Sequence, residues 1–284
     1  MMIEKFCHDQ TDGFMVSKIK SNLEYDPKWE HPPLSKEEEK VVLNRLDQNY
    51  TYLKCGGQCY AFISDDRKTI LKFFKLHRME EVKWLSKLES LPDLINPNRL
   101  RIFRYRKKRF QHIFGSCKIA YEEMKEETAL IYSHLNKTDH LHKKVRIRDK
   151  LGIYHLLDMD KMEFLLQEKV ILPLEKFKAL KEQNDIYGAH RCIDSILHHF
   201  LMRYEKGIDD SDPIVRKNFG FIENRAVELD LGSYSKKESL KDPANYIPQL
   251  EKEIGDFKNW LQNNFPELSP YLEEKIFLLK ENVR

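Results

Sequence analysis

Glycine and proline are sparse in this chain of 284 residues, 10 and 11 in number. That scarcity excludes collagen-like and linker-like chains, and a hydrophobic share of 41% excludes intrinsic disorder. Cysteine is scarce as well. The five thiols, an odd number scattered at 7, 55, 59, 117 and 192, point to reduced cysteines rather than a disulfide framework. No apolar run approaches the roughly 18–20 residues that span a bilayer. The first residues, Met1 to His8, contain no apolar stretch of the kind a secretory signal requires. An excess of one charge is missing too: 49 Lys+Arg against 46 Asp+Glu leaves +3, so the overall balance names no polyanionic partner. The expectation is a cytoplasmic globular protein without a transmembrane segment, built as one large domain or two unequal lobes.

What is present falls into a readable order. Residues 1–33 read as a polar, extended lead-in ending in His31-Pro32-Pro33. Ser35 with Glu38 three residues on forms a capping box, and Val41, Val42, Leu43 and Leu46 give the following helix an apolar face. The period then changes. Residues 50–75 read as three short strands, through 52–54, 60–63 and 69–74. The first turn between them is Cys55-Gly56-Gly57-Gln58-Cys59 and the second is Ser64-Asp65-Asp66-Arg67. Lys68 and Lys75 read as surface residues.

Residues 78–115 read as helix, a break at Pro92 and Pro97, and a basic segment. A helix is expected over 117–135, and strands over 145–148 and 164–170 with a turn at Asp158-Met159-Asp160. An amphipathic helix follows at 189–206, with Cys192, Ile193, Ile196, Leu197, Phe200 and Leu201 on one face. A polar loop at 207–218 leads to a hairpin of 220–222 and 226–229 with Asn224 in its turn, and helices fill 246–263 and 269–281. Strands lead and helices follow, which is an α+β pattern.

Three features could carry chemistry. Lys72 stands in the third strand on the face of Ile70 and Phe74, where an amine needs an anionic partner or a route to solvent; Glu127 is a candidate partner. The 207–218 loop holds Asp209, Asp210, Asp212 and Asn218, and an Asp-x-Gly, Asp230-Leu231-Gly232, follows the last hairpin strand. Hard oxygen ligands of this kind suit Mg2+, which takes one or two carboxylates plus substrate phosphates. The alternative is that Asp- and Asn-rich loops are simply turns.

Taken in order, these residues resemble the protein kinase-like superfamily over roughly residues 50–235. The resemblance implies a two-lobed fold, with a small antiparallel-sheet N-lobe at 34–170, a basic insertion near 78–115, and a helical C-lobe at 171–284. It implies ATP and Mg2+ as cofactors and transfer of a phosphoryl group to an unidentified acceptor. By the same resemblance, Lys72 holds the α- and β-phosphates and Glu127 is its ion-pair partner on helix C. Gly56 and Gly57 stand for the glycine-rich loop, and the backbones of Glu168 and Val170 meet the adenine edge. Asn218 and Asp230 hold the metal. The His-Arg-Asp motif is absent: five residues before Asn218 stands Pro213. Asp212 is the first candidate for the proton acceptor, with Asp210 second and Asp209 third, and Arg216 or Lys217 stands in for the catalytic-loop lysine. Only about fifty residues follow Asp230 and none is Ala-Pro-Glu-like, which resembles compact small-molecule kinases or atypical members.

Competing readings remain open. A pseudokinase would keep the fold and act through nucleotide binding or a protein surface. The basic run Arg99, Arg101, Arg104, Arg106, Lys107, Lys108 and Arg109, interleaved with Phe103 and Tyr105, could meet an anionic partner such as nucleic acid or a headgroup, or be a solvated face. Cys55 and Cys59 lack a second pair at zinc spacing. His134, His140 and His142 could converge on a metal or lie in a wet loop. No Gly-x-Ser-x-Gly, His-Glu-x-x-His or Walker lysine loop occurs. Trp84 and Trp260 read as core.

Overall fold

The computed structural model describes residues 2–78 and 97–281, so Trp84 and Pro92 lie outside the described residues. The chain is a mixed α+β protein that divides into two compact units. The first is Met1–Lys118 with Leu130–Lys169, and the second is Ile119–Ala129 with Val170–Arg284.

The first unit is organised by a seven-stranded sheet. Its strands are β1 (Tyr50–Cys55), β2 (Cys59–Ser64), β3 (Thr69–Phe74), β4 (Leu130–His134), β5 (Lys144–Arg148), β6 (Tyr154–Asp158) and β7 (Phe164–Glu168). They lie in the order β4-β7-β3-β2-β1-β5-β6, antiparallel except where β5 joins β1 in parallel. β3 is an interior strand, paired with β2 and β7, and is buried along its length except at the half-buried Lys72. One face is an aromatic core in which Phe14, Phe62, Phe73 and Phe164 are all buried. Their ring centroids follow one another at 5.3, 5.9 and 6.4 Å. Rings at such spacings add roughly 0.5–1.5 kcal/mol per pair beyond the area they bury.

Two sequence expectations are corrected in this unit. Residues 1–33 are no extended lead-in. They contain helix α1 (Met2–Thr11), single turns at Val16–Ile19 and Pro27–Trp29, and the buried anchors Phe14, Ile19 and Trp29. Trp29 meets Phe110 and Phe114 edge-on at 5.8 and 5.6 Å, which fastens the segment to the sheet's helix. The helix expected at 117–135 is displaced. After α2 (Lys36–Leu46), which carries the Ser35–Glu38 capping box as read, α3 runs Pro97–Glu123 and takes in the basic segment. Ala129 then adopts φ +51, ending any helical path, and the apolar residues beyond it form β4 on the edge of β7. An apolar run this short fits either period; the open edge of β7 decided it. Strand β6 was not legible in the sequence.

In the second unit, α4 (Pro173–Glu182) and α5 (Ile186–Glu205) are followed by β8 (Ile208–Asp210), the turn Val215–Asn218, and the hairpin β9 (Phe219–Ile222) and β10 (Arg225–Glu228). Strand β11 (Tyr234–Lys236) returns to pair with β8, and α6 (Pro243–Asn264) and α7 (Ser269–Glu281) complete the unit. The apolar face of α5 packs with Phe177, Phe219, Phe221, Phe257 and Leu261 into one core. Trp260 is partly buried against it, and Gly220 is required there: a Cβ would come within 2.2 Å of the Val170 side chain. Among the described residues no helix is long and apolar enough to cross a membrane.

Candidate active site

Strand register groups the candidate residues of the first unit. Lys72 is directly opposite Ala61 on β2 and Leu165 on β7, and Ile70 is opposite Ile63 and Gln167, so all of these share one face of the sheet. Ala61, Ile63 and Ile70 form a small apolar cluster of their own beside the half-buried Lys72. A bulge in β1 between Tyr52 and Lys54 brings the exposed Lys54 opposite Ala61, a second amine on the row of Lys72 that spacing alone did not reveal.

The glycine turn is braced from beneath. Gly56 N donates to Cys59 O at 2.9 Å, and neither glycine of the turn takes a positive φ. A Cβ on Gly57 would meet nothing within 4 Å, and one on Gly56 only Cys59 O at 3.4 Å, so the space beside the two glycines is open. Lys75, read from the sequence as a surface residue, is 3% exposed. Its Nζ donates to Gly56 O, lies 2.9 Å from Cys55 Sγ and sits 4.8 Å from the Tyr60 ring. The alternation of β3 ends at Phe74, and the following residue turns inward under the loop.

The second unit has candidate residues of its own, at the open end of the β9–β10 hairpin. Phe219 pairs with Glu228, and beyond that pair Leu229 N donates to Asn218 O at 2.6 Å, which sets Asn218 beside Asp230. Asn218 Nδ2 donates to Asp212 O at 2.7 Å, leaving its Oδ1 as the acceptor of that amide. Asp230 Oδ1 accepts from Gly232 N at 3.3 Å. Asn218 is therefore tied to the Asp212 backbone through its side chain and to the strand end next to Asp230 through its own carbonyl. Asp212 is exposed, whereas Asp210 is 2% exposed.

Beneath this loop lies a cluster that the sequence did not disclose. Arg203 of α5 is fully buried and pairs with Asp210 at 3.4 Å, with Glu228 at 3.8 Å, and with Glu253 of α6. Glu228 also accepts from Tyr234 Oη at 2.6 Å and from His199 Nε2 at 2.9 Å; Tyr204 donates to Glu253 at 2.8 Å. Three carboxyls around one guanidinium, away from water, cannot all stay ionised at ordinary cost. Burial, and next the charge of Glu228, push the Asp210 carboxyl up to about 8, and burial raises Glu228 and Glu253 as well. His199 is pushed down to about 3 by burial and then by Arg203, so it is neutral and donates through Nε2. The remaining oxygen of Asp210, Oδ1, accepts from Asp212 N at 2.9 Å. The cluster thus fixes the backbone on which Asp212 stands. Its signal was faint: one Arg on the apolar face of α5, and one Glu two residues before Asp230.

Glu127 departs from its expected place. It lies in the turn after α3, not in a helix, and its carboxylate pairs with Lys206 at 2.8 Å while its carbonyl accepts from Glu228 N at 2.9 Å. Glu168 ends β7 opposite Thr69, and Val170 packs on Gly220 in the second unit. In the basic segment, Arg101, Arg104 and Lys108 share one exposed helical face at spacings of three and four. His134 is buried in β4. Burial holds it down at about 4, and its Nδ1 donates to Met162 O at 2.7 Å. A cavity of about 370 Å3 in the first unit is lined by Tyr25, Trp29, His31, Tyr132 and His134 among others, but by none of the residues singled out for phosphate chemistry. Among the described residues no group of three or more His, Cys, Asp or Glu is placed to hold a metal ion by itself. Asp230 with Asn218 fits instead the sparse set that Mg2+ accepts when phosphate supplies the remaining oxygens.

No family model matches this chain, and no curated protein does. Among solved structures, it is similar to that of Rv3197 from Mycobacterium tuberculosis in complex with erythromycin. The identity is 14% and the TM-score 0.31, over 86% of this chain and 61% of the other. This chain thus spans less than two thirds of that protein, and at that level the likeness bears on neither fold nor function.

Proposed function

We propose that the protein is an ATP- and Mg2+-dependent phosphotransferase of the protein kinase-like kind, acting on a hydroxyl of a small molecule or a protein. The observation that carries this reading is that Asn218, at the end of one hairpin, is bonded both to the Asp212 backbone and to the residue before Asp230. In this reading Lys72 neutralises the phosphates, the apolar patch of Ala61, Ile63 and Ile70 offers a flat surface to the purine, and the glycine turn lends the backbone N–H of Gly57. Asp230 and the Oδ1 of Asn218 hold Mg2+, which supplies charge neutralisation on the phosphates. Asp212, exposed and fixed through its backbone, accepts the acceptor's proton as the new O–P bond forms and the bond to the β-phosphate oxygen breaks. Asp210, committed to Arg203, anchors the loop, and Glu127, committed to Lys206, takes no part.

ADP release from Mg2+·ATP by the full chain tests the proposal. Asp230→Ala and Asp212→Asn are expected to lower turnover at least about a hundredfold, the scale of losing one electrostatic or proton-transfer group. Neither should shift the melting temperature by more than a degree or two, since both side chains are at least partly exposed. Wild-type turnover no higher than that of Asp230→Ala would end the enzymatic reading. The missing aspartate five residues before Asn218 favours a nucleotide-binding pseudokinase as second reading, and thermal stabilisation by ATP without any turnover would select it.

A further inference from the structure

The β5–β6 hairpin, at one end of the first unit's sheet, carries side chains that water alone does not favour. On its terminal strand Tyr154 and Leu156 are 59% and 66% exposed, and at the tip Leu151 and Ile153 are 54% and 53% exposed. Single exposed apolar residues are ordinary, but four large ones within six positions are not. Nor is the tip a loose loop. Asp149 Oδ1 accepts from the N–H groups of Leu151 and Ile153, each at 2.9 Å, and Asp149 N donates to Ile153 O at 2.9 Å. Gly152 completes the turn at φ +87, where an L side chain would be strained and would also press on the Arg148 guanidinium. Leu151 and Ile153 are held outward in a preset shape.

Behind this tip stands a cationic band. Register places the exposed Arg146 opposite Leu156 and the exposed Arg148 opposite Tyr154, and both guanidiniums lie over the Tyr154 ring, at 5.7 and 5.8 Å. The acids of the hairpin are engaged elsewhere: Asp149 holds the tip and pairs with His155 at 2.8 Å, and the exposed Asp158, opposite Lys144, accepts from Asp160 N at 3.2 Å. Lys150 and Lys143 are paired with Asp12 and Asp47.

We propose that this hairpin docks the protein peripherally on an anionic bilayer surface. Leu151, Ile153 and Leu156 enter the boundary between headgroups and acyl chains, Tyr154 stands at the interface, and Arg146 and Arg148 meet lipid phosphates. The aliphatic tip decides against a nucleic-acid strand, which stacks on aromatics and would leave Leu151 and Ile153 with nothing to meet. The proposal is independent of the phosphotransfer reading.

Co-sedimentation of the full chain with vesicles of phosphatidylcholine, with and without phosphatidylserine, tests it. Binding is expected to the mixed vesicles only and to weaken with salt. Arg146→Gln with Arg148→Gln should weaken it about thirtyfold, at roughly fivefold per basic residue. Leu151→Asp with Leu156→Asp should abolish it while the circular dichroism and melting temperature stay unchanged, and the emission of Leu151→Trp should shift to the blue on mixed vesicles. Absence of binding to mixed vesicles at low salt overturns the proposal, as does undiminished binding by the Leu151/Leu156 variant. So does a wild-type dimer that this variant dissociates, or displacement of the vesicles by a single-stranded oligonucleotide.

Discussion

The two units position chemistry in opposite ways. In the first, Lys72 sits on a regular strand, and its neighbours Ala61 and Leu165 are dictated by ladder register. In the second, Asp212, Asn218 and Asp230 sit on irregular backbone. What holds that backbone is a buried cluster of Arg203, Asp210, Glu228 and Glu253, drawn from two helices and two strands. A strand fixes its side chains through many equivalent hydrogen bonds, so losing one contact costs little. A buried ion cluster fixes a loop through a few strong bonds, and removing one partner strands the others without solvent.

Arg203→Met breaks the comparison most sharply. It leaves three buried carboxyls without their cation and is expected to cost about 3–5 kcal/mol in urea unfolding. Phe62→Leu, in the aromatic core of the first unit, should cost only about 1–2 kcal/mol through imperfect repacking, with no dependence on pH. The second unit should depend on pH. Asp210 is raised in the fold from 3.8 to about 8, so it binds a proton more tightly folded than unfolded. The stability it contributes is complete below the unfolded value and is lost as pH rises through about 8. Melting temperatures are therefore expected to fall from mildly acid to mildly alkaline buffer, and Asp210→Asn should flatten that slope. A slope unchanged in Asp210→Asn would place the titration elsewhere. The smallest effect belongs to the glycine turn: Lys75→Met keeps the buried stem but loses the bonds to Gly56 and Cys55. The expected cost is about 1 kcal/mol, with faster amide exchange confined to residues 55–58.

Much of the first unit was legible because its signals are local. The Tyr50–Phe74 meander follows from period-two alternation and two short turn sequences, and α2 from its capping box. The register that seats Lys72 follows from the same alternation. Legibility failed where the deciding contact was distant. Residues 1–33 look polar on average, yet three apolar residues among them, Phe14, Ile19 and Trp29, are enough to fasten the segment. Lys75 reads as a surface amine because nothing local shows that the glycine turn closes over it.

The sequence by itself determined the meander and its turns, the amphipathic face of α5, and the hairpin that sets Asn218 beside Asp230. Each is written in spacings shorter than about a dozen residues, where backbone geometry translates pattern into position. Only the tertiary structure decided that 130–134 is a strand, that Glu127 serves Lys206, and that four ionisable side chains meet out of water beneath the Asp212 loop. Those outcomes depend on which distant groups share the same dry space. Burial changes the strength of every charge there, and burial is a property of the packed chain rather than of any segment within it.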